Sequence, residues 1–151
     1  MALAIRPATP ADVPIIVEFN RCLAQESESK TLDPEVLKAG VTAALADPHK
    51  ALYFLAEEGG TVLGQLCLTT EWSDWRNGWL WWIQSVYVRP EARRRGIFRA
   101  LYQHIYQEAR ENPTVIGLRL YVERDNQAAQ QTYLGMGMEW TNYLMLQRYP
   151  L

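Results

Sequence analysis

Residues 90–101 read PEARRRGIFRAL: three consecutive arginines, a glycine, then apolar residues at helical spacing. Cations are normally favoured at the other end of a helix, where the dipole is negative. Arg93, Arg94, Arg95 and Arg99 at the mouth of a helix therefore ask for an anion. A helix N-terminus presents unpaired N–H groups and positive partial charge, which suits phosphate. Gly96 lets the backbone approach a ligand closely, and the arginines can add charge-assisted hydrogen bonds. Strand, basic glycine turn and helix together make a candidate pyrophosphate cradle, with a solvated basic turn as the alternative. Neither the Walker loop nor the three-glycine dinucleotide pattern is present.

The bulk numbers restrict what such a site can belong to. The chain has 151 residues, a normal size for one domain over residues 1–151. Its 48% hydrophobic and 21% charged residues indicate a folded chain, not a disordered one. A net charge of −2 argues against nucleic acid or an anionic membrane as partner, so an anion site must be local. His49 and His104 are too few and too far apart for a metal site, and no metal is expected. Cys22 and Cys67 read as buried free thiols, which fits a reducing compartment. No secretory signal and no bilayer-length apolar run is visible, so the expected location is cytoplasmic.

The elements that must position the arginines follow from patterning. Residues 3–6 read as a first strand. Thr9 as N-cap, Pro10 and Asp12 open a helix whose Ile15, Ile16, Phe19, Cys22 and Leu23 face the core. Asp33 caps a second helix over residues 34–46. Two apolar runs flank Glu58-Gly59-Gly60 as a hairpin, and Asn77-Gly78 makes another tight turn. The long strand that follows ends at Pro90. A helix over 94–110 buries Phe98, Leu101, Tyr102, Ile105 and Ala109, and Asn112-Pro113 ends it. A strand over 114–122, a helix over 126–135 and a last strand over 138–149 complete the order βααβββαβαβ. The predicted class is α/β (α+β), a mostly antiparallel twisted sheet flanked by helices.

On these residues the chain resembles the GNAT N-acetyltransferase superfamily. VYVRPEARRRGIFRALYQHI is similar to its acetyl-CoA segment, Arg/Gln-x-x-Gly-x-Gly/Ala after a strand ending V-x-P, with Arg93 and Gly96 matching and Phe98 departing from the small residue. ERDNQAAQQTYLGMGM resembles the family's N-x-x-A-x-x-x-Y-x-x-x-G-F stretch through Asn126, Ala129, Tyr133 and Gly137, with Met138 for Phe. IRPATPAD is also a typical opening. The resemblance covers nearly the whole chain.

The resemblance implies a GNAT-like sheet whose central parallel strands splay apart, with acetyl-CoA as cosubstrate and an amine acceptor. It implies that the backbone of Val86, Tyr87 and Val88 binds the acetyl carbonyl and pantetheine arm. The pyrophosphate would sit on Arg93, Arg94, Arg95, Gly96, Ile97, Phe98 and Arg99, with Asn126 bonding the cofactor arm or capping its helix. Tyr133 matches the general acid for the departing thiolate, with a core tyrosine as the alternative. Gln84 stands where many relatives carry a glutamate base. Glutamine cannot take a proton, so Gln84 is expected to position water or amine, and Glu71 is the tentative base. Asp74, Glu26, Glu28 and Glu123 are other candidates.

The acceptor side rests on composition. Residues 71–82 hold five of the six tryptophans. Trp72 and Trp75 near a turn could wall a pocket, stack on a cation or meet a second copy, and Glu26, Glu28 and Asp74 could attract a cationic amine. Glu26, Trp72 and Trp75 are thus the tentative substrate-binding set. The leading expectation is N-acetylation of a small-molecule primary amine in a ternary complex. Alternatives are a protein or peptide N-acetyltransferase and a catalytically silent acyl-CoA-binding module. A homodimer is compatible with the sequence.

Overall fold

The computed structural model describes residues 2–151. They fall into two compact units, one running to Tyr121 and one covering Val122–Leu151.

The first unit is an α/β layer structure. Strand β1 (Leu3–Pro7) leads through Thr9 into a 3₁₀ turn, Pro10–Asp12, and helix α1 (Val13–Glu28). The turn is fixed because the Thr9 N–H donates to Asp12 Oδ2 at 2.7 Å, and Arg6 donates to both Asp12 oxygens. Helix α2 (Pro34–Ala46) starts where the Asp33 side chain accepts from the N–H groups of Glu35 and Val36. Strands β2 (Leu52–Glu58) and β3 (Thr61–Ser73) form the expected hairpin, with Gly59 and Gly60 both in the left-handed region. β4 (Gly78–Val88), a 3₁₀ turn at Pro90–Ala92, α3 (Ile97–Glu111) and β5 (Val115–Arg119) complete it.

The five strands lie in chain order, β1-β2-β3-β4-β5. All pairs are antiparallel except β4 with β5, which is parallel. Strand alternation divides the core. Tyr53, Leu55 and Cys67 pack with Ile16 of α1 and Val41 of α2 on one face. Phe54, one residue out of phase, meets His104 of α3, and α3 buries Ile97, Leu101, Tyr102, Ile105 and Ala109. No helix among the described residues is long and apolar enough to cross a membrane.

The second unit holds α4 (Gln127–Gly135). Asn126 caps it, its Oδ1 accepting from the Ala129 N–H at 3.1 Å, and Gly137 follows at φ +96°.

Three expectations need correction. Residues 138–149 form no strand among the described residues, and most of them are exposed. Alternation supplies strand propensity, but a strand also needs a partner edge, which one segment read alone does not supply. Helix α3 starts at Ile97 instead of residue 94, because Arg94 and Gly96 take left-handed conformations that cannot continue a helix. That start puts Ile97 on the buried face and leaves Phe98 half-buried against Tyr102. Cys22 is half-buried, whereas Cys67 is buried as expected.

Candidate active site

The site begins with a mismatch in strand length. β5 pairs with β4 from Trp79↔Val115 to Trp82↔Arg119 and then ends. β4 runs six residues further, to Val88, supported only by β3. The outer edge of Ile83–Val88 therefore has no strand partner among the described residues, and backbone groups left open there can take a ligand.

A bulge lies within this free stretch. Gln65 pairs with Tyr87 and Cys67 pairs with Gln84, so β4 carries one extra residue against β3. Ser85 absorbs it at φ +50°. A buried polar chain fixes the bulge: Gln65, fully buried, donates from Nε2 to the Ser85 carbonyl at 2.9 Å and to Asn20 Oδ1 at 2.7 Å. Asn20 in turn donates to the Tyr53 hydroxyl at 3.2 Å. Burial pushes the Tyr53 phenol up to about 12, so it remains neutral. Ser85, Gln65 and Asn20 were missed in the sequence. A glutamine inside the apolar run of β3 was the available signal, since a fully buried amide must be bonded to something.

Beyond Val88 the chain turns into the basic segment, and its four arginines divide by role. Arg93 Nε donates to the Val88 carbonyl at 3.0 Å, and its Nη2 donates to Glu26 Oε1 at 2.7 Å. Tyr87 donates its hydroxyl to the other Glu26 oxygen at 2.7 Å. Arg93, with Tyr87 as second donor, holds the Glu26 carboxyl below its ordinary range. Burial, with Glu26 beside it, raises the Tyr87 phenol. Arg93 thus ties the turn to the end of α1. Arg95 pairs with Glu58 at 2.8 Å. Arg94 and Arg99 are exposed and have no ion pair among the described residues.

Gly96 is the N-cap of α3 at φ +79°, and nothing stands within 4 Å of where its Cβ would be. Gly64 beneath the same corner is the opposite case: a Cβ there would lie 2.9 Å from the Tyr87 carbonyl oxygen and 3.1 Å from Ile97. One glycine keeps the corner tightly packed and the other leaves space above the helix mouth. An unpaired strand edge leading to an open helix N-terminus with two unengaged guanidiniums suits an extended ligand that ends in phosphates.

A second group lies on β3, β4 and β5. Glu71 Oε1 accepts from Trp82 Nε1 at 2.9 Å and from Arg119 Nη1 at 3.3 Å. Gln84 Nε2 donates to Thr69 Oγ1 at 2.6 Å, and the Tyr121 hydroxyl lies 3.5 Å from Gln84 Oε1. Tyr121 also flanks the Trp82 ring. Glu71 and Gln84 thus belong to one frame along the end of the β4–β5 pairing.

The tentative acceptor residues are not brought together. Trp72 packs edge-on against Trp79 at 5.1 Å, and Trp75 is exposed beside the β3–β4 turn. Glu26 meets Tyr87, eight residues along β4 from Trp79, about 26 Å of strand. Glu28 pairs with Lys30, Asp74 Oδ1 accepts from the Trp75 N–H, and Glu123 Oε2 accepts from the Asp125 N–H. Tyr133 lies on α4, and burial raises its phenol above the ordinary tyrosine value. No group of three or more His, Cys, Asp or Glu among the described residues is placed to hold a metal.

A mixed sheet opened at its parallel pair, running into a basic, glycine-capped helix, defines an acyltransferase-type fold. The chain belongs to the acetyltransferase (GNAT) family, whose model matches residues 15–138. It is similar over its full length to a possible acetyltransferase from Clostridium difficile 630, with 41% identity, a TM-score of 0.94 and 99% of that chain covered. A predicted acetyltransferase with acetyl-CoA from Clostridium acetobutylicum shares the fold at 20% identity and TM-score 0.79, covering 97% of this chain and 96% of that one. A GCN5-related N-acetyltransferase from Ralstonia eutropha JMP134 does so at 22% identity and TM-score 0.78, covering 99% and 100%. A sequence search of curated proteins finds no match.

Proposed function

We propose that the protein, acting as one domain, transfers the acetyl group of acetyl-CoA to a primary amine of a small molecule by direct attack in a ternary complex. The observation that carries this reading is the six-residue free stretch of β4, bulged at Ser85, that leads into the Gly96 helix mouth. Its edge would hold the pantetheine arm and the acetyl carbonyl along Val86, Tyr87 and Val88, whose backbone groups point alternately outward and toward β3. Arg94, Arg99 and the first N–H groups of α3 would hold the pyrophosphate. Arg93 and Arg95 act by fixing the turn. Acetyl-CoA supplies a thioester whose carbonyl the open N–H groups polarise.

Two protons must then move. The Tyr133 phenol, raised by burial, stays protonated at neutral pH and can give its proton to the departing thiolate. Glu71 is the tentative base, with Gln84 positioning water or the amine. The Trp82, Tyr121 and Arg119 frame around them favours a compact acceptor. Because Gln84 cannot itself accept a proton, a silent acyl-CoA-binding module is the second reading.

The test is isothermal titration with acetyl-CoA beside a thiol-release assay on small amines and on peptides. Binding with thiol release on a small amine supports the proposal, and turnover on peptides alone moves the acceptor to a peptide. Binding without any turnover favours the silent module. Absence of binding overturns the cradle.

A further inference from the structure

The sheet face that packs on α1 and α2 runs past its apolar core into a polar shelf. Cys67 lies in that core with Ile16 and Val41. It pairs with Gln84, Thr69 pairs with Trp82, and Trp82 pairs with Arg119. Strand alternation therefore puts Thr69, Glu71, Trp82, Gln84 and Arg119 on the face that carries Cys67. Tyr121 follows two residues after Arg119, its ring 6.0 Å from that of Trp82. Cys67 is buried, but the face opens beyond it: Thr69, Trp82, Gln84 and Arg119 are half-buried and Glu71 is exposed.

The shelf adjoins the free edge of β4. Gln84 belongs to the shelf and is also the residue before the Ser85 bulge. Trp82 and Arg119, the last pair of the β4–β5 ladder, lie two residues, about 7 Å, back along the strand. A compact molecule seated on the shelf thus reaches the stretch where the thioester is proposed to lie.

The two charges that meet on this shelf are opposite. Glu71 and Arg119 pair at 3.3 Å, with Glu71 47% exposed. An ion pair this open is weakly held. Glu71 Oε1 also accepts from Trp82 Nε1 at 2.9 Å, so the carboxylate keeps a fixed donor if the arginine turns to another partner. A ligand that carries an ammonium beside a carboxylate can open the pair and replace both halves. Its ammonium meets Glu71, and its carboxylate meets the planar guanidinium fork of Arg119. An amine without a carboxylate satisfies Glu71 but sets a cation against Arg119. An acid without an amine has the converse fault.

We propose, resting on the acetyl-transfer reading above, that the acceptor is a free α-amino acid, held as its zwitterion between Glu71 and Arg119. Its α-nitrogen then sits on the residue named above as the base. The ammonium gives one proton to Glu71, and the nitrogen lone pair forms the new bond to the thioester carbonyl carbon. The C–S bond breaks with its electron pair going to sulfur. Of the two protons the nitrogen loses overall, one balances the proton taken up by sulfur and the other leaves to solvent. Arg119 sets specificity in this scheme and takes no part in the proton transfers.

The test compares the common L-amino acids, each beside its decarboxylated amine and its amide, the amide standing in for a peptide N-terminus. Ligand-observed NMR reads binding to the protein without turnover, and thiol release from acetyl-CoA reads turnover. At least one amino acid is expected to bind and to exceed its amine and its amide about tenfold or more in kcat/KM. Turnover that favours the amine or the amide in every set overturns the proposal and leaves acetyl transfer standing. Arg119→Gln, with folding checked by circular dichroism, is expected to collapse the preference, and Arg119→Lys to restore part of it. A preference that survives in Arg119→Gln overturns the assignment. Amino-acid binding that needs Arg119, in a protein that does not bind acetyl-CoA, supports the zwitterion site and overturns the acetyl-transfer reading instead. No binding and no turnover with any amino acid overturns the site.

Discussion

The Gln65 side-chain amide reaches across from β3 and donates to the Ser85 carbonyl on β4 at 2.9 Å. Its partner is the residue that carries the bulge, at φ +50°. Gln65 therefore sets the shape of the strand edge proposed to meet the thioester while lying wholly inside the protein. Gln65→Leu leaves the Ser85 carbonyl and Asn20 Oδ1 both without their donor. Chemical denaturation is expected to show a loss of about 1–3 kcal/mol. Gln65→Glu would place a carboxylate against two oxygen acceptors and is expected to cost more. If Gln65 positions the bulge, the Leu variant also weakens acetyl-CoA binding in titration. Unchanged affinity with lowered stability would reduce Gln65 to a packing role.

The arginine run gives a second prediction, because its members are engaged differently. Arg94 and Arg99 have no ion pair among the described residues, so Arg94→Ala and Arg99→Ala remove little from the folded state, within about 0.5 kcal/mol. Each is expected to weaken acetyl-CoA binding about tenfold, the value of one charge-assisted hydrogen bond. Arg93→Ala is expected to lower stability as well, since it releases Glu26 and the Val88 carbonyl together. Titrations of desulfo-CoA and of pantetheine separate the effects. The Arg94 and Arg99 losses should appear with the first ligand and vanish with the second, which has no pyrophosphate.

Acid should loosen the same corner. Arg93 and Tyr87 hold the Glu26 carboxyl below its ordinary value. The unfolded chain then binds a proton at higher pH than the folded one. The contribution is complete above the unfolded glutamate value of about 4.3 and is lost as pH falls through the lower folded value. Glu26 is 41% exposed, so the effect is small. Denaturation of the protein and of Glu26→Gln is expected to show a stability gap at neutral pH that closes below about pH 4. A gap that stays constant to lower pH would assign the loss to packing.

The order of elements as far as α4, the glycine turns and the helix caps could be read from the chain because each rests on local chemistry, as Asp33 and Asn126 show by capping the helices assigned to them. The early end of β5 could not, since 114–122 is apolar beyond Arg119 and nothing local stops it there. Ser85 was hidden for a related reason: a bulge is an extra residue relative to a partner strand, and one strand read alone has no partner. Leu101, Tyr102, Ile105 and Ala109 lie on the buried face as expected, and only at the first turn does burial fall on Ile97 and leave Phe98 half-buried. Among the arginines, residue type suggested an anion site, while the division into tethered and unengaged members depends on Glu26 and Glu58, remote in sequence.

Tyr133 offers the sharpest test of the chemistry. Its phenol is raised by burial, so it stays protonated past the ordinary tyrosine value of about 10. An acid of this kind should keep kcat flat through neutral pH and lose it only on the far alkaline side. Tyr133→Phe keeps the ring and removes the proton. The expected result is a kcat lower by about 10²-fold, the scale of one positioned acid, with the acetyl-CoA Kd unchanged. The alkaline fall in kcat should also disappear from the residual activity, which a merely structural tyrosine would not produce. A fall in kcat with the alkaline limb preserved would mean that another group, or water, protonates the departing thiolate.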